Sequence, residues 1–169
     1  HSYNGCSATI IAMLSPSKEV MLFLQTHGVS TTYAVKIFKQ YGDKSIDIVT
    51  NNPYQLSEDI FGIGFLTADL IARNLGVDPG STFRYRAGVK HVLGEAAEDG
   101  HCFLPQPELL TAATTKLTTD EHTATENAVL EVLREMSVQQ DLILETVEEI
   151  PLYFQPSFFY TEQNLAISI

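Results

Sequence analysis

The chain lacks most of the patterns that would give it a chemistry of its own. It has no GxxxxGK[ST] phosphate loop, HExxH, GxSxG turn or CxxC pair, so phosphate-loop nucleotide hydrolysis and the common metal and serine hydrolase sites find no motif. Its two cysteines, Cys6 and Cys102, are far apart, which argues against a disulfide framework or a zinc site and for a reducing compartment. No apolar run approaches the ~20 residues of a membrane span. The longest near the N-terminus, Ala8 to Leu14, lacks the basic flank of a secretory signal. The expectation is a soluble, cytoplasmic protein without catalytic residues, metal or membrane contact. His91, His101 and His122 are scattered, and each fits a core or surface role better than a ligand. His101 and Cys102 are neighbours on a candidate strand, so they point to opposite faces and make a poor dyad.

Basic residues are also scarce: ten Lys and Arg stand against 21 acids, a net charge of −11 over 169 residues. That balance normally repels nucleic acid. The deficit is uneven. Residues 1–94 carry eight basic side chains against seven acids, whereas residues 95–169 carry only Lys116 and Arg134 against fourteen. The two parts are expected to face different partners, or only one of them to face a partner at all.

What the sequence does contain is a 44% hydrophobic composition, ample for a core, and a repeated helical pattern. Ser15-Pro16 reads as a cap and first helical position, with Val20, Phe23 and Leu24 on one face as far as His27-Gly28. Tyr33, Ala34, Ile37, Phe38 and Tyr41 mark a second helix ending at Gly42, and Asp43 to Asn51 a connecting one. Asn52-Pro53 starts another helix carrying Leu56 and Ile60, Gly62-Ile63-Gly64 breaks it, and Phe65 to Leu75 follows. Gly28-Val29-Ser30 aligns with Gly62-Ile63-Gly64 at an offset of 34 residues, and Ala34 and Ile37 then align with Ala68 and Ile71. Two copies of a helix, a Gly-hydrophobic-small turn and a helix make a tandem helix-hairpin-helix pattern.

Beyond Asp78-Pro79-Gly80 the pattern changes. Phe83 to Ala97 predicts a helix, His101 to Leu104 a short strand, and Leu109 to Leu117 a helix. Thr118 and Glu121 have capping-box spacing ahead of a helix bearing Ala124 to Met136. Asp141–Val147 and Ile150–Phe154 predict a hairpin joined at Glu148-Glu149. That order is winged-helix-like. Its candidate recognition helix, residues 122–136, carries Glu126, Glu131 and Glu135 against Arg134 alone, which makes major-groove docking improbable. Phe158 to Ile169 reads as a final helix.

A glycine turn lets main-chain amides approach a surface, and the following helix N-terminus offers unpaired N–H groups suited to a DNA phosphate. A lone glycine turn is usually punctuation; two matched copies strengthen the DNA reading. The candidate contacts are Gly62, Ile63, Gly64, Phe65 and Thr67 of the second turn and Gly28, Val29 and Ser30 of the first. Lys36, Arg73, Arg84 and Arg86 are nearby charges, each weighed against ordinary surface solvation. Ser30 restricts the first turn, so the second is the better candidate.

The run Asn52-Pro53-Tyr54-Gln55-Leu56 through Ile60-Phe61-Gly62-Ile63-Gly64-Phe65-Leu66-Thr67-Ala68-Asp69, with Ile71-Ala72 and Leu75-Gly76, closely resembles the RecD-like DNA helicases, in particular the exodeoxyribonuclease V alpha-subunit branch with a long N-terminal extension. Gly28 to Ala34, Lys39 to Asp43, Asp99 to Pro105 and Phe158 to Glu162 fit the same pattern, which covers about residues 17–169. Leu66 stands where many relatives have Lys. The resemblance implies a 5′ to 3′ DNA motor using ATP and Mg in a domain outside these residues, which would themselves bind no cofactor. The implied organisation is a divergent or added segment at 1–14, a tandem helix-hairpin-helix domain at 15–79, a winged-helix-like domain at 80–156 and a connection to the motor from 157. The expected role is an accessory arm contacting single-stranded or forked DNA without sequence preference, alongside its own motor and repair proteins. The alternative is a scaffold whose hairpins pack internally and whose acidic face docks the motor or a repair partner.

Overall fold

The computed structural model describes residues 18–157. The readings at Ser15-Pro16, residues 1–14 and Phe158–Ile169 lie outside those residues. The chain divides between Asp78 and Pro79 into two compact units.

Among the described residues the regular elements of unit 1 are all helical. Helix α1 covers residues 18–26, and α2 follows at Thr31–Tyr41. A 3-10 turn at Gly42–Lys44 leads into α3, Ser45–Asn51, then α4, Gln55–Asp59, and α5, Phe65–Asn74. The apolar stripes read from the sequence converge: Leu24, Ala34, Ile37, Val49, Leu56 and Ala68 are completely buried. The two alanines at the repeat offset leave room where bulkier side chains would hold helices apart. Ser45 is the buried polar residue of this core, and its hydroxyl donates to Gly42 O at 2.7 Å, which offsets its desolvation.

Unit 2 opens with α6, Thr82–Glu98, followed by β1, Phe103–Pro105, α7, Gln106–Leu117, α8, Glu126–Val138, β2, Ile143–Val147, and β3, Ile150–Phe154. The three strands form an antiparallel sheet in the order β1-β3-β2. Leu104 pairs with Tyr153, and Tyr153 with Leu144. Glu148 and Glu149, at φ 51° and 69°, make the tight β2–β3 turn. Pro151 pairs only with Thr146 of β2, so its missing N–H falls outside the β1 ladder. Buried Tyr153 faces the core and donates its hydroxyl to Gln106 Oε1 at 3.0 Å. The described residues are thus mainly helical with one small antiparallel sheet.

Two expected helix starts are displaced. Asn52-Pro53 does not open α4: Asn52 ends α3 and accepts from Tyr54 N at 3.2 Å in a turn, and α4 begins at Gln55. Thr118 and Glu121 do not open a helix: the Thr118 hydroxyl accepts from Ala124 N at 3.1 Å within a loop. Helix α8 starts at Glu126, capped by Thr125 accepting from Ala128 N at 3.2 Å. The spacing of a capping box recurs wherever Thr precedes Glu, and the true cap is the Thr adjoining the apolar stripe.

Candidate nucleic-acid interface

The two hairpin turns share a backbone and differ in finish. Each turns on a glycine with positive φ, 82° at Gly28 and 94° at Gly62, and each buries the hydrophobic residue that follows, Val29 or Ile63. In the second turn Ile63 N donates to Ile60 O at 3.2 Å, placing Phe61 and Gly62 at its two corners. Gly64 then serves as N-cap of α5 with no side-chain cap. Gly64 and Leu66 are exposed, and among the described residues the amides of Gly64, Leu66 and Thr67 meet no acceptor. A helix begins with such amides unpaired and a partial positive charge.

Lys36 brings a full positive charge to the same place. It lies on α2, 26 residues earlier, yet a Cβ built on Gly62 would stand 2.9 Å from its Nζ. The same ammonium is 5.9 Å from the centroid of the Tyr33 ring, within the range of a cation–π attraction. The second turn therefore combines a cation, open amides and a glycine bend. Gly64 at φ −94° and ψ −176° has a backbone any residue adopts, and a Cβ there meets nothing within 4 Å.

Behind the turn, buried Tyr54 donates to Asp69 Oδ1 at 2.6 Å and stacks on Phe65 at 5.9 Å. Phe65, like Ile63 and Val29, is buried, so these three offer main chain, not side chain, to a ligand. Asp59, at the end of α4, accepts from Tyr41 Oη at 2.7 Å and Gln55 Nε2 at 3.1 Å. Burial, reinforced by Asp59, pushes the Tyr41 phenol well above its usual value.

The first turn is finished internally. Ser30 caps α2 by accepting from Tyr33 N at 3.4 Å, Thr31 accepts from Gln25 Nε2 at 2.9 Å, and a Cβ on Gly28 would collide with Asn74 Nδ2 at 2.5 Å.

The remaining predicted cations are not gathered here. Arg73 is exposed in the last turn of α5, about 13 Å along the helix from Gly64. Arg84 is 2% exposed and donates to Pro79 O at 3.0 Å and Leu117 O at 2.8 Å. Its guanidinium ties the start of α6 to the end of α7 and is not a surface charge. Arg86 approaches Glu135 at 3.7 Å with its Nε buried. The basic bias of residues 1–94 also dissolves at the unit boundary. Unit 1 holds five basic side chains against seven acids, because Arg84, Arg86 and Lys90 belong to unit 2. Attraction for an anion must therefore be local.

Sequence reasoning did not single out Phe61 as a contact. It is completely exposed at the tip of the second turn, and an aromatic at a turn corner directly before glycine was the available signal. Two of the histidines have partners within unit 2: His91, held below its ordinary value chiefly by burial, adjoins Glu95, and His122 hydrogen-bonds Tyr85. Among the described residues no three His, Cys, Asp or Glu side chains form a metal cluster, and no helix is long and apolar enough to cross a membrane.

A family model described as the HHH domain of the ATP-dependent RecD2 DNA helicase matches residues 15–103, running from unit 1 through α6 into β1. With more than half of its length matched and both hairpins in place, the chain belongs to the RecD2 DNA helicase helix-hairpin-helix family.

Proposed function

We propose that this chain is a non-catalytic, DNA-engaging arm of an ATP-dependent 5′ to 3′ helicase, and that it contacts a DNA phosphate through the second hairpin only. The observation that carries the reading is the convergence of the Lys36 ammonium with the uncapped N-terminus of α5 at Gly62–Gly64. Neither backbone conformation nor packing requires glycine at 64, so its remaining use is close approach from outside. Contacts of this kind go to the backbone, hence binding is sequence-independent and salt-sensitive. ATP and Mg would serve a motor domain, not these residues. With unit 1 slightly acidic, affinity is modest and adds to the motor's own grip.

Unit 2 supports a winged-helix reading through its element order and β1-β3-β2 ladder. Glu126, Glu131 and Glu135 are all exposed on α8, which disfavours a DNA groove. A second reading, a protein-docking scaffold, is favoured here by exposed Phe103, Val147 and Ile150 on the sheet face opposite Tyr153.

Fluorescence anisotropy with single-stranded, duplex and forked DNA, from low to physiological salt, tests the DNA reading. Binding that weakens with salt is expected. Absence of binding to all three at low salt overturns it and leaves the scaffold.

A further inference from the structure

The turn that carries the cation and open amides also carries an aromatic side chain with nothing to do. Phe61 occupies the first corner of the bend closed by Ile63 N and Ile60 O, and its ring is 100% exposed. Burial of a phenyl ring is normally among the larger contributions a side chain makes to folding; here the fold gains none of it. The duplicated turn shows the alternative. His27 stands at the equivalent position, 34 residues earlier, and its ring packs on Phe23 at 4.4 Å while Nδ1 hydrogen-bonds Phe23 O at 2.8 Å. One copy folds its aromatic back onto its own helix, and the other points it at solvent.

We propose that Phe61 stacks on an unpaired nucleobase, so that the second hairpin grips phosphate and base together and selects single-stranded DNA or a fork over intact duplex. The inference rests on the phosphate-contact reading above and adds the substrate class to it. An occupant of this chemistry follows from the neighbours. The Lys36 ammonium beside Gly62 and the open amides of Leu66 and Thr67 suit an anion, while a flat apolar ring suits a π-face. A nucleotide offers both, one bond path apart. In a duplex each base face is covered by the next pair, so the ring would meet only sugar and phosphate; in a single strand the face is available. Stacking discriminates poorly between bases, which agrees with sequence-independent recognition. Leu66, 65% exposed on the first turn of α5, extends the apolar rim.

The test uses the 169-residue chain with a labelled oligo(dT), the same oligomer with abasic positions, and a duplex of equal length. The chain has no tryptophan, so Phe61→Trp introduces a single indole at the turn, excited selectively on the red side of tyrosine absorption. Wild type is expected to prefer oligo(dT) over the abasic oligomer by about five- to hundredfold. Phe61→Ala should erase that preference, change duplex affinity less than about twofold, and leave both the salt slope and the melting temperature unaltered. The emission of Phe61→Trp should be quenched by oligo(dT) and not by the abasic strand. If wild type binds DNA but Phe61→Ala changes single-strand and duplex affinity equally or not at all, and no quenching occurs, stacking is overturned while the phosphate contact stands. If wild type binds none of the three, both readings fall, and the exposed ring belongs to a protein contact.

Discussion

The first and second hairpins are one backbone design with opposite finishes. In the first, Ser30 satisfies the start of α2, Asn74 sits against Gly28, and His27 folds back on Phe23. In the second, Gly64 leaves α5 uncapped, Lys36 sits against Gly62, and Phe61 projects outward. Because both copies contribute a helix pair and a buried alanine to the same core, the fold needs both, while a ligand needs only one open turn. Duplication lets one copy be closed for stability while the other stays unsatisfied, the opening that the proposed DNA contact uses. The instructive differences are three small ones: what caps the second helix, what lies against the glycine, and where the corner aromatic goes.

The strongest way to break the comparison is to put the same carboxylate at each cap. Gly64→Asp supplies a good N-cap, and its backbone and surroundings accept a side chain. Thermal or urea unfolding should show a gain of a few tenths of a kcal/mol. The same group opposes a phosphate, so DNA affinity measured by anisotropy should fall about tenfold or more. Ser30→Asp should change neither quantity appreciably, since that cap is already occupied. Equal effects of the two substitutions on binding would mean that both turns, or neither, touch DNA.

Alanine at the glycines separates strain from access. Gly28→Ala forces a Cβ onto φ 82° and against Asn74, and should cost about 1–2 kcal/mol in denaturant unfolding. Gly64→Ala should cost close to nothing by the same measurement. A smaller effect is expected from charge: Lys36→Ala should reduce the magnitude of the log-affinity against log-salt slope by about 1, and Arg73→Ala should leave it unchanged. A shift with Arg73 instead would move the contact to the far end of α5.

How much of this the sequence shows depends on the range of the interaction. The helices of unit 1 and their shared repeat were legible because Ala34, Ile37, Ala68 and Ile71 follow local periodicity, and the β2–β3 hairpin because Glu148-Glu149 interrupts two apolar runs. The start of α8 was not, since a cap motif at Thr118 and another at Thr125 look alike until the chain closes on Val129 and Met136. At the site, the difference in capping between the two turns was legible from Ser30 against Gly64. Lys36 was legible only as one of four candidate charges, because it reaches Gly62 through the packing of α2 against the second hairpin. Arg84 misled for the reverse reason: one residue type serves as a surface charge or as a buried donor to carbonyls, and only the positions of Pro79 and Leu117 decide.

The smallest expected effect on DNA binding concerns the link between the copies. Tyr41, at the end of α2, donates its hydroxyl to Asp59, at the end of α4, so the first hairpin holds the helix that enters the second turn. Burial and the Asp59 carboxylate both favour the protonated phenol, raising its value in the folded state above the ordinary ~10. A raised value means that this contribution is complete below pH ~10 and is lost as the pH climbs from there through the folded-state value. Tyr41→Phe should therefore cost about 1 kcal/mol at neutral pH and flatten part of the alkaline fall in stability seen by circular dichroism. If the bond also fixes the open turn, the variant should weaken DNA binding slightly while Ser30→Gly, which loosens only the closed turn, does not. An unchanged alkaline limb in Tyr41→Phe would show that the two hairpins are held together by their apolar core alone.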